Sequence, residues 1–228
     1  MPDAFDLPSA GSLRVGARIA NARGVPGTLG CFALSLDDRR PLLLTSQHVL
    51  FGAGAREQEP VWALPDPGGP TPDRPIARTR HGRRALLRHA DCDVHVDCAT
   101  ADLDARQAVA CRLTPVRAGD LPEPGDAVQK LNGVNDATHG TVLATNHSER
   151  VVIEGRAFEV RGQFLVRARD ATQPFSKPGD SGAALCDKDG AIVGLLWGTS
   201  ARGDALACPI APVLWVLHVE LARMTENA

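Results

Sequence analysis

The sequence predicts an all-β sandwich or barrel, and three observations carry that prediction. Punctuation is dense, with 22 glycines and 17 prolines in 228 residues, so few stretches are long enough for a helix. The apolar segments between them are short and β-like: GTLGCFALSL, RPLLLTS, VHVDCATADL, DAVQKLNG, GTVLAT, RVVIEG, QFLVRA, SGAALCD and AIVGLLWG. The segment CDKDGAIVG adds a hairpin signal, because Asp189-Gly190 sits between two apolar runs and can supply the positive φ of a tight turn.

Composition narrows the class further. A hydrophobic content of 43% and a net charge of −2 describe an ordinary soluble chain, large enough for one large domain or two small ones. That balance offers no overall electrostatic reason to expect nucleic acid or a membrane surface as a partner. No run approaches the ~20 apolar residues of a membrane span. The opening MPDAFDLPSAGSLRVG is acidic and lacks the apolar stretch of a secretory signal. The expectation is therefore a cytoplasmic protein whose six cysteines are reduced thiols rather than a disulfide framework.

Taken in chain order, LPDPGGPTPDRP reads as a surface loop. DRPIARTRHGRRALLRH, with six arginines between Asp73 and His89, reads as a solvated loop or an exposed strand. No aromatic residue interleaves those arginines, so bases would find no stacking platform there. HADCDVHVDC, residues 89–98, holds three aspartates, two histidines and two cysteines and looks like a metal site. Its alternation argues otherwise: Cys92, Val94, Val96 and Cys98 are apolar, while Asp91, Asp93, His95 and Asp97 are polar. On one strand the two cysteines stand about 20 Å apart, whereas a disulfide or shared zinc needs them within roughly 4 Å. Both are expected on a buried face. RLTPVRAGDLPEPGD, near the middle, is the better inter-domain linker, and APVLWVLHVELARM predicts a terminal helix. In that helix Leu214, Leu217, Leu221 and Met224 recur at helical spacing and Pro212 suits the first turn.

Two short motifs carry chemistry. In KPGDSGAAL, residues 177–185, a serine flanked by glycines follows an aspartate and precedes an apolar strand. That is how a nucleophile is set on a tight turn where the amides of Gly179 and Ser181 can converge on an oxyanion. In PLLLTSQHVLF, an apolar run ends in Thr45-Ser46 and is followed at once by His48.

Together these motifs resemble the trypsin-like, chymotrypsin-fold serine proteases. In that family the histidine follows a strand ending in Thr-Ala-Ala or similar, and the nucleophile lies in Gly-Asp-Ser-Gly. The order His, Asp, Ser matches as well. The family's aspartate opens a strand of the form Asp-x-Ala-x-x-x-Leu, which DCATADL (97–103) fits, so the resemblance selects Asp97, with Asp93 as the next choice. The fold it implies is two antiparallel six-stranded β-barrels with a C-terminal α-helix. Residues 1–115 would carry His48 and Asp97, and residues 116–228 would carry Ser181.

The implied activity is hydrolysis of protein or peptide substrates through an acyl-enzyme, with no metal and no cofactor. Trp197-Gly198, in GLLWG, would pair with an extended substrate. The base of the primary specificity pocket would lie near Phe175, its walls formed by Trp197-Gly198 and Ala205 to Pro209. Phe175 argues against a basic substrate side chain and Asp204 for one.

Two departures matter: Val49 replaces the cysteine that commonly follows the histidine, and no Ile-Val-Gly-Gly-like activation site is visible. Both point to the bacterial intracellular branch, in which a regulatory protein partner is a further expectation. The alternative is a protease-fold module that binds peptides without cleaving them, or a latent enzyme awaiting a partner.

Overall fold

In the computed structural model, residues 13–65, 73–104, 111–131, 137–153 and 156–226 are described. Two antiparallel sheets dominate. The first has nine strands: β1 (Arg18–Ala20), β2 (Pro26–Thr28), β3 (Cys31–Ser35), β4 (Pro41–Thr45), β5 (Pro60–Ala63), β6 (Ala77–His89), β7 (Cys92–Leu103), β8 (Cys111–Pro115) and β15 (Val219–Glu226). The second is a closed six-stranded barrel of β9 (Ala127–Leu131), β10 (Ala137–Ile153), β11 (Arg156–Ala168), β12 (Ala184–Cys186), β13 (Ile192–Thr199) and β14 (Ala205–Pro209). A one-turn helix α1 (Gln47–Leu50) follows β4, and α2 (Ile210–Leu217) follows β14. The all-β class with two sheets and a C-terminal helix is as the sequence predicts. The first sheet, however, is assembled from nine strands, several of them short, rather than six.

Three apolar clusters hold these layers together. Leu29, Phe32, Leu43, Val61, Ala99 and Ala101 fill the first sheet, and Val128, Phe164, Val166, Leu185 and Leu196 fill the barrel. The third cluster lies between the sheets, where Val94, Val96 and Cys98 of β7 meet Leu206 and Cys208 of β14 and Val213 of α2. Strand β7 is thus covered on both faces. Val94, Val96 and Cys98 are sealed against the barrel while Ala99, Ala101 and Leu103 enter the first core, as period-two geometry requires.

The arginine run and the acidic-histidine stretch explain each other. β6 and β7 form one long hairpin turned by Ala90-Asp91, both at positive φ as a two-residue turn demands. The register sets Arg84 opposite Asp97, Leu86 opposite His95 and Arg88 opposite Asp93, so cations face carboxylates across the ladder. Cys98 is buried as expected, but Cys92 is exposed: it closes the hairpin at the tip, beyond the reach of the barrel. The metal-like cluster is a strand.

At the C-terminus the predicted helix is cut short. α2 ends at Leu217, His218 takes the left-handed conformation (φ 53°) with its amide reaching back to α2 carbonyls, and Leu221 and Met224 belong to β15. β15 inserts between β3 and β8, and those ladder hydrogen bonds outweigh helical periodicity. The DG turn of CDKDGAIVG is borne out, with Gly190 at φ 80° between β12 and β13. Much of LPDPGGPTPDRP falls outside the described residues, and the proposed linker connects β8 to β9.

Candidate active site

His48 and Asp97 are brought together at the seam between the sheets. β4 pairs with β7 so that Thr45 lies opposite Ala99, and the chain leaving β4 turns at once into α1, which carries His48 over Asp97. The His48 ring nitrogen Nδ1 is 2.9 Å from Asp97 Oδ2, and the His48 amide donates to Asp97 Oδ1 at 3.1 Å. Arg84 Nε, reaching across the hairpin, is 3.3 Å from the same Oδ2. Asp97 is fully buried. Burial pushes its carboxyl up, but the His48 hydrogen bond and the neighbouring His48 and Arg84 charges outweigh that and leave it below the usual carboxylate range. Asp93, the other candidate, lies towards the hairpin tip beside Arg88 and Arg161.

The loop carrying Ser181 is pressed against the chain that carries His48. The Ser181 carbonyl accepts a hydrogen bond from the Thr28 amide at 2.8 Å, and Thr28 Oγ1 donates to the Gly179 carbonyl at 2.8 Å. Gly182 has φ +91° and lies so close to Thr45 that a β-carbon there would sit 1.9 Å from Thr45 Oγ1 and 3.0 Å from the Ser46 amide. Gly27 is equally cramped, wedged between Val49 and the Ser181 carbonyl. Only glycine permits these approaches, which seat Ser181 within the same small group of backbone contacts as the start of α1.

Within the loop, the amides of Asp180 and Gly182 donate to the carbonyls of Lys177 and Leu196. Among the described residues, the amides of Gly179 and Ser181 on either side of Asp180 have no acceptor. The loop is held from behind by Asp180, whose carboxylate accepts the Lys177 amide at 2.7 Å and pairs with the buried ammonium of Lys130.

Lys130 was not singled out by the sequence, although a signal existed. In AVQKL it shares a face with Val128, so strand alternation aims a charge inward. Arg84 was missed because it faces Asp97 only through the hairpin register.

Of the residues that the sequence placed around a specificity pocket, Phe175 is buried in the barrel core with its ring against Gly140. Asp204 is buried and receives two hydrogen bonds from Arg167, at 2.9 and 3.0 Å, which answers its charge. Trp197 is buried, donates to Gln163 Oε1 at 2.6 Å and lies against the His95 ring. Gly198 is bordered by open space where a side chain would stand.

No family model matches the sequence, and no curated protein does. Solved structures do. Thermobifida fusca protease A aligns with a TM-score of 0.60 and 14% identity, covering 92% of this chain and 98% of that one. Nocardiopsis protease gives 0.60 at 15% identity and Cellulomonas bogoriensis chymotrypsin 0.56 at 17%, each with the same coverage of both chains. The chain therefore has the fold of the trypsin-like, chymotrypsin-fold serine proteases of bacteria. At these identities the likeness establishes the fold. No helix among the described residues is long and apolar enough to cross a membrane.

Proposed function

We propose that the chain is a serine endopeptidase that hydrolyses peptide bonds through an acyl-enzyme on Ser181. The observation that carries this reading is the His48 ring held at 2.9 Å by a fully buried carboxylate. The Asp97 contact fixes the proton on Nδ1 and leaves the other ring nitrogen to act as a base. His48 takes the Ser181 hydroxyl proton as the oxygen attacks the peptide carbonyl, then gives it to the leaving amine. Water repeats the cycle in the second half and releases the acyl group. The amides of Gly179 and Ser181, which have no acceptor among the described residues, suit the developing oxyanion, and each such donor is worth roughly 2.7–4 kcal/mol of barrier.

The substrate would lie extended along Trp197-Gly198, its side chain entering the space beside Gly198. With Asp204 already answered by Arg167 and Phe175 buried and apolar, an uncharged side chain fits there better than a basic one.

The test is labelling of the purified protein by a fluorophosphonate, located by peptide mass spectrometry. Labelling is expected at Ser181, lost in His48→Ala and Asp97→Ala and kept in Asp93→Ala. Ser181→Ala and His48→Ala should each lower kcat by about a millionfold, as in triads whose members act as a unit. A folded protein that takes up no label would instead favour the peptide-binding module or the latent enzyme.

A further inference from the structure

We infer that Arg84 is a positioning residue for the general base: its guanidinium, set against Asp97, keeps the His48–Asp97 pair free of its extra proton in more acidic solution than the pair alone would. This deepens the protease reading above and rests on it.

The placement of Arg84 is built into the fold. The turn at Ala90-Asp91 sets the register that puts Arg84 directly across from Asp97, and the side chain is mostly buried, with 22% of its surface exposed. Arg84 Nε and His48 Nδ1 approach the same oxygen, Asp97 Oδ2, at 3.3 and 2.9 Å. The two nitrogens are therefore within about 6 Å of each other, the range over which one charge changes the protonation of another. With Arg84 present, the buried carboxylate already has its countercharge, and a proton arriving on His48 adds a second cation to one anion. With Arg84 removed, the carboxylate lacks a countercharge and proton uptake supplies it. The midpoint belongs to the pair, and it rises when the guanidinium is lost.

The neighbours on the other elements do not duplicate this role. His95, two residues along β7, is driven towards its neutral form by burial, opposed by Asp97 and reinforced by Arg84, and its Nε2 has no hydrogen-bond partner among the described residues. Cys208 of β14 accepts the Asp97 amide on Sγ at 3.3 Å, and burial raises both its thiol and that of Cys98, so both stay uncharged. Asp93 is met by Arg88 and Arg161 further out along the hairpin. Among the described residues, Arg84 is the permanent cation within salt-bridge distance of Asp97.

The experiment is the rate of fluorophosphonate labelling of Ser181 as a function of pH in the wild type, Arg84→Gln, Arg84→Met and Arg84→Lys. The acidic midpoint should rise by about one pH unit in the two neutral variants and return to the wild-type value in Arg84→Lys. An unchanged midpoint in folded Arg84→Gln, or a lower plateau rate with no shift, overturns the inference. A midpoint in Arg84→Lys as high as in the neutral variants refutes the charge model. If the wild type itself takes no label, the protease reading fails separately. Titration of the His48 ring by nitrogen NMR in the same variants then reads the pair directly, with the same shift expected and the same absence of shift overturning it.

Discussion

Replacing Lys130 with methionine removes the ammonium behind the Ser181 loop while keeping most of the side chain's volume. Lys130 is 2% exposed and its partner Asp180 is 22% exposed. Breaking a buried ion pair by removing one member costs roughly 3–5 kcal/mol, because the other charge is left uncompensated. Water can reach part of Asp180, so the lower end, about 3 kcal/mol, applies here. If the whole fold bears that loss, the melting temperature falls by about 6–12 °C. If the loop alone gives way, the conformation presenting the Gly179 and Ser181 amides drops by up to about 100-fold in population, and the labelling rate falls with it. Thermal melting and fluorophosphonate kinetics on one preparation separate the two routes. Because a buried pair is costly to break but nearly neutral to replace whole, Lys130→Met with Asp180→Asn should recover much of either loss. A Lys130→Met protein with wild-type melting and wild-type labelling would refute the reasoning.

Gly182→Ala places a β-carbon 1.9 Å from Thr45 Oγ1 and 2.6 Å from the Thr28 carbonyl at φ +91°, so we expect a loss of about 3–4 kcal/mol and of labelling, read by melting and mass spectrometry. His95 is held neutral by burial and binds its proton less readily in the fold than in the unfolded chain. Its stabilisation is therefore present above about pH 6.5 and lost as pH falls below that value, so His95→Gln should flatten the acid side of a melting-temperature profile. Arg167→Ala uncovers the Asp204 carboxylate, and a peptide library should then show a gain in kcat/KM for lysine or arginine before the scissile bond.

The parts of this molecule legible in the sequence are those written in contiguous residues. Ser181 with its glycines, His48 at the end of an apolar strand and the turn at Asp189-Gly190 each signal themselves within a few positions. Asp97 needed a pattern remote from His48, yet strand alternation and the Asp-x-Ala form were enough to prefer it to Asp93. Arg84 was illegible because its partner is fixed by a turn at Ala90-Asp91 that lacks the usual glycine or asparagine. The error at Leu221 and Met224 has a related cause. Their spacing suits a helix, but the vacancy between β3 and β8 is satisfied only by a strand, and a single left-handed residue, His218, switches one to the other.

The position of β15 bears on when the protein can be assembled. During synthesis, most of the sheet carrying His48 and Asp97 leaves the ribosome before the barrel does, but its β3 and β8 edges are joined only by residues 219–226. Chains elongate at about 5–20 residues per second, so that half waits several seconds with two open edges while the barrel is made. Contacts this distant in sequence also slow folding once the chain is complete. A nascent chain therefore holds His48, Asp97 and Ser181 before it holds the strand that completes the first sheet, and the order of translation itself delays that sheet until residues 219–226 have been made.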